Sequence, residues 1–227
     1  MYEARAKAYQ RVWATDLMGT TGASPGYCCY SIWCPWCASY QLRKRALYGD
    51  MSRYLCCAGY LPCSGRCGEA KCPSCCLCLE VCICFSQSVA STRWMLQDEM
   101  HLSNTKCDNC IIATTVFFQY LSCIFSCIAI CVDGMQEAAC ILDYIADCMW
   151  CSMCACMQTQ HKLQLDARDR DPSLVQPLHP FMAPVQQQMH FVPPKGQSAG
   201  APPPVQGYQP PPGQAYPPPP AGYPVRQ

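Results

Sequence analysis

Cysteine is the residue type that could do chemistry in this chain, and its spacing is ordered. The ten residues Cys28-Cys-Tyr-Ser-Ile-Trp-Cys-Pro-Trp-Cys37 hold four thiols, two tryptophans and a proline. Cys34/Cys37, Cys107/Cys110 and Cys148/Cys151/Cys154 stand at C-x2-C spacing. That knuckle lets two thiolates meet one metal ion. Structural zinc takes four deprotonated ligands, so two knuckles supply a full set. The expectation is zinc or another soft divalent ion on these seven thiols, in pairings that spacing alone does not fix. A second chemistry attaches to Cys75, Cys76, Cys78, Cys82 and Cys84, which crowd an apolar run. Clustered thiols beside a membrane are candidate S-acylation sites. Burial in a packed domain is the ordinary alternative. A third reading, thiol oxidoreduction at Cys34-Pro-Trp-Cys37, needs a βαβ context that the pattern does not offer.

Other chemistries are excluded more simply. His101, His161, His179 and His190 are isolated, and neither G-x-S-x-G nor H-E-x-x-H occurs. His161, close to the last cysteine cluster, could replace a thiolate; a surface histidine is the ordinary reading. Asp143 and Asp147 share a helix face and could bind a hard cation or move protons, though an exposed acidic face is commoner. The Gly-rich stretch from Cys56 to Cys75 matches no phosphate-binding fingerprint. A net charge of +1 offers no broad basic field for nucleic acid. No enzymatic activity is expected.

These residues must be positioned by a chain whose composition changes sharply along its length. All 24 cysteines lie between Cys28 and Cys156, whereas all prolines but Pro25, Pro35, Pro62 and Pro73 lie at or beyond Pro172. Three regions follow: an N-terminal helix and loop over 1–25, a cysteine-rich domain over 26–165, and a Pro/Gln/Tyr-rich tail over 166–227. The charged N-terminus lacks the apolar core of a signal peptide, and no N-x-[ST] acceptor occurs. Mostly reduced thiols in a cytosolic compartment are therefore expected.

The fold class is mainly α, a small cysteine-rich helical domain with irregular Cys/Gly loops. Helical spacing of Tyr2, Ala6, Tyr9, Trp13 and Leu17 predicts an amphipathic helix over 2–17. Residues 38–55 read as a second helix, with Arg43-Lys44-Arg45 as its solvated face or as a contact to anionic lipid. Residues 73–90 are apolar but short for a span. Residues 93–106, with Arg93, Asp98, Glu99 and Lys106, read as solvated. The run from Ile111 to Val132 holds no charge and extends about 33 Å as helix, enough for a hydrocarbon core of about 30 Å. It is expected as the one transmembrane helix, with the N-terminus cytosolic because the basic residues precede it. Met135 to Gln160 reads as helix. The tail cannot bury enough apolar surface to fold and is expected disordered with polyproline II character. It suits SH3- or WW-type partners, although no PPxY occurs.

Cys28-Cys29-x4-Cys34-Pro35 resembles the CC-x4-CPC signature of the placenta-specific-8 family, which includes cornifelin and the plant cadmium-resistance and cell-number-regulator proteins. Cys107-Asp-Asn-Cys110, preceded by Asp98-Glu-Met-His-Leu, is similar to its second element. Cys151-Ser-Met-Cys154-Ala-Cys156-Met-Gln158-Thr-Gln160 resembles its C-x2-C…QxxRE ending. The second thiol of the first motif, Cys37, falls one residue late, and residues 111–147 look inserted between elements usually close together. The resemblance spans residues 26–165, and the Tyr/Pro/Gln tail suggests a plant member. It implies membrane association and roles in heavy-metal tolerance, ion flux or cell number; the expected setting is the plasma membrane or an endomembrane, with membrane lipid as a partner and a homo-oligomer as a further option. The alternative is a membrane-anchored adaptor that recruits partners through its tail.

Overall fold

A computed structural model describes residues 9–61, 64–66, 68–132, 134–177, 182, 184–187 and 189. Six longer helices dominate it: α1 (Pro25–Trp33), α2 (Pro35–Ala46), α3 (Pro73–Ile83), α4 (Phe85–Met100), α5 (Lys106–Cys131) and α6 (Gln136–Arg170). One-turn helices at Thr20–Ala23 and Pro184–Gln187, and 3-10 turns at Met51–Arg53, Cys56–Gly59 and Pro172–Leu174, join them. Two short strands, β1 (Arg11–Val12) and β2 (Leu102–Ser103), pair in parallel and tie the N-terminal segment to the α4–α5 junction.

Prolines set three of the helix starts. Pro25, Pro35 and Pro73 each open a helix, where the missing N–H costs nothing and φ is already helical. Each forces the preceding residue out of the helical region. Ser24 and Cys72 take nearly the same conformation, φ −151°, ψ 70° and φ −147°, ψ 70°.

Cys34 (φ −133°, ψ 67°) breaks α1 from α2, and Cys84 (φ −119°, ψ 46°) breaks α3 from α4, the latter with a bend of 117°. The chain thus makes two similar elbows: a Cys-rich apolar helix, a break at a cysteine, and a second helix carrying a buried arginine. Those arginines, Arg43 and Arg93, stand at equivalent positions beyond the two breaks. Ser39 and Ser88 hydroxyls meet at 3.3 Å where the elbows pack together.

Side-chain contacts fix the direction of each helix. Val89 of α4 packs with Met153 and Met157 of α6; further along, Arg93 donates to Gln160, and Arg168 reaches Glu99 at 3.4 Å. At the same end Arg168 donates to the Ala46 carbonyl and Arg45 to Asp169. Helices α2 and α4 therefore run alongside the C-terminal half of α6 in its own direction. Both elbow tips, Cys34 and Cys84, consequently point the opposite way, toward the N-terminal half of α6.

That N-terminal half pairs with α5 as an antiparallel hairpin. Gln119 donates to the Ala146 carbonyl at 3.1 Å, and Ser122 and Ser126 hydroxyls donate to the Asp143 carboxylate. Both helices are long and apolar enough to cross a membrane, whereas the sequence reading expected a transmembrane helix only over residues 111–132. In their most apolar 18-residue stretches only 11% of α5 and 28% of α6 is buried. The sequence reading missed the second because Asp143 and Asp147 lowered its apolar character; Asp143 is partly buried against α5.

The head packs around Trp13, Leu42, Leu47, Leu77, Met95, Leu96 and Leu165. It also buries charge. Arg43, Arg93, Asp98, Glu99 and Arg168 are nearly inaccessible, so neither Arg43 nor residues 93–99 form the solvated surfaces expected of them. The 2–17 helix is corrected as well. Residues 9–17 are not helical: Tyr9, Trp13 and Leu17 are buried along an extended path, and residues before Tyr9 lie outside the described residues. Helix α6 runs on through Arg170, and Met182 and Met189 are buried on the head, so the structured chain passes residue 165. The remainder of the expected disordered tail lies outside the described residues.

Candidate functional site

The region that combines exposure, thiols and apolar surface lies where the two elbows meet the base of the hairpin. Phe85, next to the Cys84 break, and Val89 join one cluster with Ile111 and Ile112 of α5 and with Trp150, Met153 and Met157 of α6. The second elbow tip therefore sits against the first turns of the hairpin. The first tip lies at the same end of the head, since Ser39 is level with Ser88 and α2 runs parallel to α4. Around the tips Ile32, Trp33, Trp36, Leu79 and Ile83 are exposed, Trp33 at 88% and Ile83 at 76%. Exposed apolar side chains gathered at one level mark a partner or membrane contact. Tryptophan at that level suits the bilayer interface.

The C-x2-C thiols are distributed over this frame. Cys34 and Cys37 are joined as a disulfide at the N-terminus of α2, with Cα atoms 5.4 Å apart. Cys107 and Cys110 face outward on the first turns of α5. Cys148 and Cys151 are exposed on α6, whereas Cys154 is buried in the cluster at the hairpin base. Returning antiparallel, α6 brings its thiols to the same end as Cys107. Even so, among the described residues none of these seven cysteines belongs to a group of three ligand atoms. Nor do the described strands, two residues each, provide the βαβ setting of a thioredoxin-like site. In the acylation set, Cys75, Cys78, Cys82 and Cys84 are exposed, while Cys76 packs against the core. In the signature, Cys28 is buried and Cys29 exposed.

One potential metal-binding group does assemble, at a place the spacing did not indicate. Cys56, Cys57 and Glu80 bring ligand atoms within 4.8 Å of one another. Adjacent Cys57 and Ala58 both adopt left-handed backbone, φ 48° and 53°, a conformation that costs a non-glycine residue about 1–3 kcal/mol. The turn aims the Cys57 N–H at the Glu80 carboxylate, 2.8 Å away. Glu80 also accepts from the Tyr54 hydroxyl at 2.7 Å and from Arg43 at 3.0 Å. Burial and the Glu80 charge push the Cys57 thiol well above its ordinary pKa. As it stands the Arg43 guanidinium pairs with the carboxylate, and a divalent ion would have to displace that pair and the Cys57 proton. The group reads as a structural node that holds the 56–59 turn on α3.

Several buried acidic residues that sequence reasoning missed perform such joining. Asp108, between Cys107 and Cys110, accepts from the Leu17 N–H at 3.0 Å and from Gln160 at 3.2 Å, with Arg93 at 3.7 Å. The conspicuous thiols of that motif face out, and its aspartate locks three segments together. Asp98 accepts from the hydroxyls of Tyr9 and Tyr60. Glu99 accepts from Tyr48 and Arg168. His161, read from sequence as a surface group, is buried beside Trp13, ring centroids 5.7 Å apart. Arg43 and Arg93 each have apolar helix neighbours three and four residues away, Ala46 and Leu47 beside one, Val89 and Leu96 beside the other.

One open cleft of about 400 Å³ is lined by Gln10, Arg11, Val12, Met100, Leu102, Gln164 and Leu174. Its only charged side chain, Arg11, donates to the Leu174 carbonyl at 3.0 Å, so the cleft holds no acid–base pair. Compared with family models, curated proteins and solved structures, the chain matches none. The likeness to the placenta-specific-8 signature therefore rests on its motif residues alone.

Proposed function

We propose that this protein is a non-enzymatic, membrane-anchored adaptor: the α5–α6 hairpin inserts in the bilayer, the elbow tips rest at its interface, and the head presents the C-terminal tail. The observation that carries this reading is that Phe117, Tyr120, Ile124, Ile128 and Ile130 of α5 are all exposed. Left in water, that surface would be a severe aggregation liability. The eleven Ile, Val, Leu and Phe residues between Ile111 and Val132 favour insertion by about 3–7 kcal/mol.

Charge placement supports a cytosolic head. Lys106, Lys162, Arg168 and Arg170 flank the hairpin on the head side, while residues 132–135 at the far turn carry no lysine or arginine.

Two contacts at the root of the tail support the adaptor role. The Gln176 N–H donates to the Glu99 carbonyl at 2.9 Å, and the Gln186 amide to the Gly59 carbonyl at 3.4 Å. The root is thereby fixed to the head, and the Pro-rich remainder is offered to SH3- or WW-type partners. The roles in metal tolerance and cell number that the family resemblance implies would then be exercised through recruitment at a membrane.

Glycosylation mapping tests the proposal. An acceptor on a flexible spacer inserted at Gly134 should be modified in microsomes, one inserted at Gly68 should not, and the protein should resist alkaline extraction. Modification at Gly68, or release by alkali, would overturn it.

A further inference from the structure

We infer that Cys78, Cys82 and Cys84 are S-acylated, and that the attached chains enter the leaflet beside the hairpin base. The inference rests on the hairpin reading for the level of the bilayer. It goes beyond that reading in naming a covalent modification and its sites.

Helix α3 divides cleanly into two faces. Leu77, Glu80 and Val81 are buried against the head. The opposite face shows Cys78, Leu79, Cys82 and Ile83 with no charge among them. Cysteines four apart on a helix lie one above the other, so Cys78 and Cys82 form a row, and the exposed Cys84 follows at the break that ends the helix. That row descends toward the tip, where Phe85 and Val89 lie against Ile111, Ile112 and Met153. The thiols nearest the tip are therefore those nearest the lipid. Cys76 faces the core and is withdrawn from the set; Cys75 lies about two turns up the helix from Cys82, away from the tip.

Competing fates for these thiols fit less well. All three are free in the structure. None belongs to a three-ligand group among the described residues. A packing role is excluded by their exposure.

The transfer balances with a long-chain acyl-coenzyme A thioester as donor. The cysteine sulfur attacks the acyl carbonyl, a sulfur–carbon bond forms, and the bond to coenzyme A breaks. The thiol proton leaves with the coenzyme A thiol, and nothing is oxidised or reduced. One saturated chain contributes only marginal, reversible binding, and a second anchoring element makes attachment stable. Here the acyl chains would instead pin the elbow to the bilayer that the hairpin already crosses, fixing the head's tilt.

The full chain expressed in eukaryotic cells provides the test. Hydroxylamine releases thioesters, and each released thiol then takes a mass tag. Three hydroxylamine-dependent tags are expected, with one lost in each of Cys78→Ser, Cys82→Ser and Cys84→Ser. Cys75→Ser and Cys107→Ser, equally exposed, should lose none. Absence of hydroxylamine-dependent tags, or their persistence in the triple Ser variant, would overturn the inference. Alkaline extraction separates the two readings: the triple variant should stay with the membrane, because the hairpin holds it. If the wild type is extracted while its tags remain, the hairpin fails and the modification stands.

Discussion

Arg43 donates to the Glu80 carboxylate at 3.0 Å in the centre of the head, with 0% and 1% of the two side chains exposed. The pair joins the two elbows, since Arg43 belongs to α2 and Glu80 to α3. Arg43 also donates to the Ser88 carbonyl at 3.1 Å, reaching α4. One guanidinium thus binds three helices. Two charges removed from water are stabilising only when geometry and extra hydrogen bonds are good. Glu80 satisfies that condition through Tyr54 and the Cys57 N–H.

Arg43→Ala should cost about 3–5 kcal/mol, because it leaves a buried carboxylate uncompensated. Denaturation of detergent-solubilised protein measures this. The double variant Arg43→Met/Glu80→Gln should recover most of the loss, since neither charge of the pair remains and the Gln carbonyl can still accept from Tyr54 and the Cys57 N–H. Equal destabilisation of single and double variants would show that the pair matters only through packing.

Glu99 gives stability a pH dependence of definite sign. Burial pushes its carboxyl above the ordinary value of 4.5; the Arg168 guanidinium and the Tyr48 hydroxyl pull downward and are outweighed. The folded chain therefore keeps this proton at pH values where the unfolded chain has lost it. The contribution to stability is full below the unfolded value and disappears as pH rises through the raised folded value. Thermal midpoints should fall over that window, and Glu99→Gln should flatten the fall. Arg168 retains the Ala46 and Arg45 carbonyls as acceptors in that variant. An unchanged pH profile in Glu99→Gln would assign the fall to another group.

The mainly helical class and the long apolar α5 were legible because each rests on a local pattern: apolar residues at helical spacing, and an uncharged run of the right length. The buried charges were not. Arg43 lies in a basic triplet and Glu99 beside Asp98, and sequence alone gives such groups to solvent. Only the meeting of α2, α3, α4 and α6 supplies their partners. The same holds for the thiols. C-x2-C spacing fixes two ligands on one turn and says nothing of whether a second pair faces them; Cys107 and Cys110 turn outward, while Asp108 between them turns in. Of the 75–84 thiols, Cys75, Cys78, Cys82 and Cys84 are exposed and Cys76 packs inward, a division that follows from the azimuth of each residue on one helix.

The Cys56/Cys57/Glu80 node makes a prediction about metal. Chelator should leave the thermal midpoint of the wild type unchanged, because Arg43 fills the place of a cation. In Arg43→Ala the carboxylate is released and the two thiols stand beside it. Zinc should then raise that variant's midpoint, by RT ln(1 + [Zn]/Kd), and Cys56→Ser in the same background should abolish the rise. A chelator-sensitive wild type would mean that the guanidinium does not exclude the ion.

Asp143 and Asp147, one helical turn apart, should behave oppositely. Asp143 faces α5 and accepts from Ser122 and Ser126; Asp147 is exposed on the outer side of α6. Interhelical hydrogen bonds in membranes average about 0.6 kcal/mol and reach about 1.7. A double-mutant cycle between Ser122→Ala and Asp143→Asn should return coupling in that range. Asp147 has no such contact, and a lipid-facing aspartate near a helix centre costs about 2.5–3.5 kcal/mol on the insertion scale. Asp147→Leu should therefore raise insertion of the hairpin in microsomes by that amount. If Asp147→Leu instead weakens insertion or breaks up a detergent-stable oligomer, the carboxylate faces a second copy of the hairpin, and lipid does not cover that side of α6.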